Sequence, residues 1–119
     1  MRPATVDIVS GNNEAFQILI PITNSDGTPF DFTGYSDFQM EVRSDPFHPL
    51  PILTFLDGVG IQVEGAAAAG VIALYAPEED VTPLVGLYYC DARGVVGGKT
   101  EVIFRGTIEI VQGITYDVS

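Results

Sequence analysis

Few residues of this sequence have the side chains that catalysis or metal binding usually requires. The chain of 119 residues has one histidine, His48, and one cysteine, Cys90. A nucleophilic serine or cysteine needs a base within hydrogen-bond reach, and a zinc site needs several His or Cys ligands. His48 lies in a proline-rich stretch and Cys90 in an apolar run. The sequence therefore predicts a surface loop residue at His48, a packing residue at Cys90, and no catalytic site, metal site or cofactor.

The carboxylates offer another route to catalysis or to calcium binding. Residues 78–80 read EED, and Asp26 and Asp31 lie in a turn-rich segment. None of them has the alternating acidic spacing of a calcium loop, and glycosidase pairs cannot be recognised by spacing alone. We interpret 78–80 as the solvated first turn of a short helix, where the helix dipole favours negative charge. An enzyme that uses a pair such as Glu78 and Asp80 stays as an alternative hypothesis.

The charge balance excludes polyanions as partners. Sixteen acidic residues against five basic ones give a net charge of −11. Nucleic-acid binding needs Lys and Arg to neutralise phosphates, and anionic membranes attract basic clusters. The five basic residues are scattered, with no two adjacent: Arg2, Arg43, Arg93, Lys99 and Arg105. We expect no binding to nucleic acid or membranes, and partner surfaces that are neutral or basic.

The composition is that of one folded domain without disulfides. A mean hydropathy of +0.27 and 46% hydrophobic residues are too apolar for a disordered acidic chain. We predict a single domain over 1–119, with 1–4 and 114–119 as extended tails. The sequence has neither an apolar run of membrane-spanning length nor a basic start followed by an apolar stretch. We therefore expect synthesis in the cytoplasm without a signal peptide.

Short alternating runs separated by turns predict an all-β fold. In 14–22 and 37–44 every second residue is apolar, which is typical of strands with one buried face. We predict a hairpin from 52–56 and 59–64, and one long strand or two broken at Gly106 over 99–112, with Val102, Phe104, Ile108 and Ile110 on one face. Seven to nine short strands favour an antiparallel β-sandwich, with a small β-barrel as the alternative.

Several segments resemble one family of proteins. Residues 26–35 read DGTPFDFTGY, 38–43 FQMEVR, 86–91 GLYYCD and 105–115 RGTIEIVQGIT. In this order they resemble small tailed-phage and prophage structural proteins, over roughly residues 14 to 115. The resemblance implies an immunoglobulin-like β-sandwich similar to the N-terminal domain of baseplate upper proteins, which attaches receptor-binding or fibre components to a virion. The sequence departs from the pattern at Phe32, at Cys90 and in the proline-rich insertion 45–51.

The resemblance implies a non-enzymatic virion structural protein. It would be a tail, baseplate or head-fibre adaptor or a capsid-decorating subunit, made in the host cytoplasm and located in the virion. Its partners would be other phage structural proteins and further copies of itself, with a trimer as one arrangement. Loops on a rigid scaffold commonly carry binding, so we expect contacts from strand edges and from loops 24–36 and 45–51. The candidate contact residues are Phe30, Tyr35, Phe47, His48 and Leu50.

A second class of function rests on aromatic residues. Tyr35, Tyr75 and Tyr88 could form a surface that binds carbohydrate. The chain has no tryptophan, so tyrosine and phenylalanine must also supply the bulk of the core. Core filling is therefore the favoured interpretation, and a carbohydrate-binding module is the alternative.

Overall fold

The apolar alternation forms eight strands in the computed structural model, which describes residues 3–113. Strands make up 59% of the structure and helices 6%, which confirms the predicted all-β class. A 3-10 turn spans Ala67–Ala69, and the four-residue helix α1 spans Glu78–Val81. The strands are β1 (Ala4–Gly11), β2 (Phe16–Pro21), β3 (Tyr35–Arg43), β4 (Leu53–Asp57), β5 (Gly60–Val63), β6 (Val71–Ala76), β7 (Gly86–Val96) and β8 (Lys99–Val111).

All eight strands belong to one sheet that folds back on itself. Their order is β1-β8-β7-β3-β4-β5-β6-β2. The strands β1, β8, β7, β3 and β4 form one layer and β5, β6 and β2 the other. The layers are joined at β4 and β5, so the sheet is nearly closed, like a barrel. The pairs β1–β8 and β4–β5 are parallel, and the other pairs are antiparallel.

The core lies between the two layers and is lined by the predicted apolar faces. Phe16 and Ile20 of β2 are buried, as are Met40 and Val42 of β3. Phe16 crosses the core to meet Phe55 of β4 edge to face, with ring centroids 5.9 Å apart. Full burial of one such side chain stabilises the fold by about 1.5–3 kcal/mol. Alternation alone therefore located the inner faces of β2 and β3.

The predicted hairpin between 52–56 and 59–64 is wrong. The strands β4 and β5 meet through two parallel pairs, Leu56↔Gly60 and Asp57↔Ile61, rather than side by side in antiparallel register. A tight turn carries the chain from one layer to the other, and it is closed by a hydrogen bond of 2.7 Å from Val59 N to Leu56 O. The chain crosses between layers because β5 pairs with β6.

The long C-terminal run is a single strand, but the alternation of buried and exposed residues shifts by one position within it. A bulge lies where Ala92 pairs with Phe104 and the next residue, Arg93, pairs with Val102. Ile103 is the extra residue and is fully buried, whereas Val102 is half-buried. The prediction that Val102 shares a buried face with Phe104 is therefore wrong, because a bulge shifts the alternation by one residue.

Two further findings concern the ends of the chain and its helices. Ala4 already belongs to β1, and the remaining predicted tail residues 1–2 and 114–119 lie outside the described residues. Within 3–113, neither helical segment is long enough or apolar enough to cross a bilayer.

Candidate functional site

The loop between β3 and β4 presents two large apolar side chains to solvent. Phe47 is 93% exposed and Leu50 69% exposed. Both lie in the predicted contact loop 45–51. An apolar side chain held in water gains free energy when a partner covers it, in proportion to the area covered. This loop, residues 44–52, is therefore a candidate contact surface, which we call the proline loop.

Hydrogen bonds within the proline loop fix its shape. The carboxylate of Asp45 accepts a hydrogen bond of 2.8 Å from Phe47 N, and its carbonyl accepts one of 3.0 Å from His48 N. The His48 ring nitrogen Nδ1 lies 3.2 Å from Leu50 N and 2.9 Å from Leu50 O. Arg43 Nε donates to His48 O at 3.0 Å. His48 is exposed, as predicted for a surface loop residue, and it orders the backbone that carries Phe47 and Leu50.

The other two predicted contact residues lie elsewhere. Phe30 and Tyr35 are half-buried and pack against the core, with ring centroids 5.6 Å apart. Tyr35 is the first residue of β3, and the proline loop follows Arg43, the last residue of that strand. At 3.3 Å per residue, Tyr35 and Arg43 lie about 26 Å apart. The structure therefore does not bring Phe30 and Tyr35 onto one surface with Phe47, His48 and Leu50.

Tyr35 is held by an acidic partner on β8. Its hydroxyl donates a hydrogen bond of 2.6 Å to Oε2 of Glu101. Burial, followed by the hydrogen bond and the negative charge of Glu101, raises the pKa of Tyr35 to about 12. The same hydrogen bond lowers the pKa of Glu101. The pair ties the start of β3 to β8, which is a structural role.

A concavity of about 540 Å³ adjoins the proline loop. It lies on the outer face of β1, β8, β7 and β3, and Pro46 of the proline loop forms part of its wall. We call it the arginine concavity. Neighbouring strands place polar side chains in a row across its floor, because Glu41 pairs with Asp91 and Asp91 pairs with Arg105. Its other polar lining residues are Thr5, Arg43, Tyr89 and Thr107.

Glu41 is the centre of an ion cluster at this surface. One of its carboxylate oxygens accepts a hydrogen bond of 3.0 Å from Arg43, and the other binds Arg93. Asp91 Oδ1 lies 4.0 Å from Arg43 and 3.9 Å from Arg93. That oxygen is buried and has no hydrogen-bond partner among residues 3–113. Glu41 is thus doubly paired, whereas Asp91 gains only longer-range attraction.

Arg105 differs from the other two arginines. It is exposed and forms no ion pair within the described part of the chain. Its guanidinium therefore keeps its five N–H donors available for an anion. This cluster could not be recognised from sequence patterns, because Arg43, Arg93 and Arg105 are far apart along the chain. They meet because β3, β7 and β8 are adjacent strands, which only the pairing register reveals.

Cys90 lies beneath the arginine concavity and is buried. Burial, with a smaller contribution from the charge of Asp91, raises the pKa of its thiol to about 12. Since the thiolate is the reactive form, this cysteine stays unreactive at neutral pH. Its position agrees with the predicted packing role.

The residues of the two alternative hypotheses are dispersed. Tyr88 lies against the core and Tyr75 is exposed on β6, in the other layer from Tyr35 and Tyr88. The three tyrosines therefore do not form one flat platform for a sugar. Glu78 and Asp80 are exposed on α1, and Asp80 borders a shallow concave surface beside β4 and β6. Within 3–113 the structure has no cluster of three or more His, Cys, Asp or Glu side chains that could hold a metal.

Comparisons with known proteins give structural similarity only. No family model and no curated protein matches the chain. The fold is similar to an endo-beta-1,4-mannanase from Thermotoga petrophila, with 12% identity and a TM-score of 0.49 over 87% of this chain and 18% of that chain. It is also similar to an endo-fucoidan hydrolase from glycoside hydrolase family 107, with 12% identity and a TM-score of 0.46 over 92% of this chain and 13% of that chain.

A third solved structure is similar over nearly its whole length. It comes from photo-crosslinking analyses of multimeric cell-adhesive interactions of VGSC beta subunits, and it shares 12% identity and a TM-score of 0.37 over 93% of both chains. By contrast, the present chain spans less than a fifth of the two hydrolases. At these scores the similarities carry no argument about function.

Proposed function

We propose that this protein is a non-enzymatic structural subunit of a tailed-phage virion that attaches to other virion subunits through the proline loop. The main support for this attachment surface is that Phe47 and Leu50 are exposed on a loop whose shape is held by hydrogen bonds. The resemblance of residues 26–43 and 86–115 to small phage structural proteins supports the virion setting. The subunit would be a tail, baseplate or head-fibre adaptor or a decoration of the capsid, present as a homo-oligomer such as a trimer.

The proline loop has two properties that favour binding. Interfaces gain most of their energy from a few large anchor side chains that become fully desolvated. A loop already held by hydrogen bonds loses little conformational freedom when a partner covers it. Phe47 and Leu50 provide the anchors, and the contacts of Asp45 and His48 hold the loop before binding.

The test is incorporation into particles. Tailed particles are purified from cells whose phage or prophage encodes this chain, and the protein is quantified by mass spectrometry and located by cryo-EM. We expect the wild-type protein in the particles and the double variant Phe47→Ser, Leu50→Ser in the unassembled fraction. Val59→Ser is the matched control, because Val59 is 74% exposed on the separate β4–β5 turn.

Two outcomes decide the proposal. Absence of the wild-type protein from purified particles would overturn the virion assignment. Equal incorporation of the double variant and Val59→Ser would remove the proline loop as the attachment surface. Circular dichroism and thermal melting of each variant show whether a loss reflects binding or unfolding.

A further inference from the structure

We infer that the arginine concavity binds a carboxylate of an acidic segment belonging to the partner that covers the proline loop. This inference rests on the proposed function, because it names the chemistry of the partner at the same surface. Pro46 belongs to the proline loop and also forms part of the wall of the concavity. A segment that packs on Phe47 therefore passes beside the arginines.

The first support is the distribution of charge. The chain carries a net charge of −11 and has five basic residues. Three of these five, Arg43, Arg93 and Arg105, lie at or beside this one concavity. The rest of the molecule is dominated by carboxylates that repel an acidic partner. The concavity also holds Glu41 and Asp91, and Thr107 of its lining donates to Asp7, so the surface has no excess of positive charge. The attraction for an acidic segment comes from Arg105, the arginine that has no ion pair within the described residues.

The second support is the unequal pairing of the arginines. Glu41 holds Arg43 and Arg93 in place, so their positions are set before a ligand arrives. Arg105 has no ion pair within residues 3–113 and faces solvent. The hydroxyls of Thr5 and Tyr89 line the same space and make no hydrogen bond within that range. One free guanidinium with hydroxyl donors beside it matches a carboxylate, which accepts several hydrogen bonds.

The carboxylates of the concavity favour a singly charged ligand group. Glu41 and Asp91 both lie in its floor. They repel a doubly charged phosphate more strongly than a carboxylate, and a single unpaired arginine neutralises one negative charge. Peptide carboxylate is therefore the ligand chemistry that the site fits best.

The first test is a titration of the full chain with peptides, in which NMR monitors the backbone amide signals. A capped hexaglutamate peptide is the probe, a capped hexaglutamine peptide is the neutral control, and inorganic phosphate is the third ligand. We expect hexaglutamate to shift the amide signals of Arg43, Tyr89, Arg105 and Thr107, with weakening as salt is added. Arg105→Gln should weaken binding by about threefold to fivefold, the effect of one exposed charge pair. Lys99→Gln is the matched control, because Lys99 is an exposed cation at the far end of β8.

Each result of the titration decides the inference. The inference is supported if hexaglutamate shifts only the amide signals of the concavity, and if Arg105→Gln reduces these shifts while Lys99→Gln does not. Shifts spread over the surface, equal binding of hexaglutamine, or tighter binding of phosphate would overturn a site for peptide carboxylate.

The particle experiment separates this inference from the proposed function. If Arg105→Gln is depleted from particles and Lys99→Gln is not, the partner uses the concavity. If Arg105→Gln is incorporated fully while the Phe47, Leu50 double variant is lost, the inference fails and the proposed function stands. If hexaglutamate binds the concavity but the wild-type protein is absent from particles, the virion assignment fails and the carboxylate site stands.

Discussion

The carbonyl oxygen of Val6 lies where a side chain at position 106 would begin. A Cβ built on Gly106 would come within 1.7 Å of that oxygen and 2.7 Å of the Val6 carbonyl carbon. The two residues are register partners in the parallel pair of β1 and β8. The backbone of β1 can approach β8 this closely only because residue 106 has no side chain.

Gly106→Ala should destabilise the protein by separating β1 from β8. The atoms that would move are backbone atoms of Val6, so we expect a loss of about 1–3 kcal/mol or more. Urea unfolding followed by circular dichroism measures it. Gly11→Ala on β1 is the control, because its Cβ would meet only the tips of the Asn13 and Glu14 side chains, at 3.0 and 3.4 Å. Equal stability of the two variants would contradict the close approach.

The bulge in β8 gives a second prediction. Ile103→Ala should cost about 2–5 kcal/mol, because it leaves a cavity in the core. Val102→Ala, at the neighbouring half-buried position, should cost about 1 kcal/mol or less. The free energy of unfolding of each variant distinguishes the observed register from uninterrupted alternation, which would reverse the order of the two losses.

These residues show how far sequence patterns can predict this fold. The alternation in β3 located Met40 and Val42 in the core because the pairing with β7 is regular from Gln39 to Arg43, and the irregularity of this strand lies before it, between Ser36 and Gln39. A bulge depends on how two strands fit each other, so the local pattern around Val102 does not reveal it. The wrong hairpin has a similar cause, since the partner of β5 is β6 and that choice is made by packing between layers.

The candidate site was predictable only in its loop. Three prolines in 45–51 and the apolar Phe47 and Leu50 mark an exposed loop in the sequence itself. The arginine concavity is formed by residues from three strands that are distant in sequence. The expectation of neutral or basic partner surfaces rests on the net charge of the whole chain. The arginine concavity leads to a different inference, and the titration with hexaglutamate decides between the two.

A buried asparagine gives the third prediction. Asn12 is 7% exposed, although it lies in a predicted turn. Its Nδ2 donates to Thr82 O at 3.0 Å, and its Oδ1 accepts from Gly113 N at 2.8 Å. Asn12→Ala leaves both backbone groups unpaired and should cost about 1–3 kcal/mol or more.

Asn24→Ala is the control for this change. Asn24 also makes two hydrogen bonds through its side chain, to Thr28 Oγ1 and Pro29 O, but it is exposed. Water can replace those bonds, so we expect a loss of about 0.5 kcal/mol or less. Thermal melting of both variants compares the two sites. Similar melting temperatures would show that burial of Asn12 contributes nothing.

The hydrogen bond between Tyr35 and Glu101 predicts a pH dependence at high pH. The pKa of Tyr35 is raised to about 12 in the folded protein, from about 10 in an unfolded chain. Its contribution is therefore complete below about pH 10 and is lost as the pH rises towards 12. Urea unfolding should show a steeper fall in stability between these values for the wild type than for Tyr35→Phe.

The control for this prediction is Tyr75→Phe. Tyr75 is half exposed and its hydroxyl makes no hydrogen bond within residues 3–113. We expect this variant to follow the wild-type pH profile. A Tyr35→Phe profile parallel to that of the wild type would contradict the assigned hydrogen bond.

The position of β1 at the edge of the sheet governs when the fold can be completed. Ala4 pairs with Phe104 and Gly11 with Val111, so each residue of the first strand finds its partner a hundred positions later. A ribosome releases the N-terminal residues first, and β1 stays unpaired until almost all of the domain has been synthesised. Contacts so distant in sequence slow folding. A charged side chain on an edge strand disfavours pairing with another chain, and Asp7 occupies that position in the middle of β1.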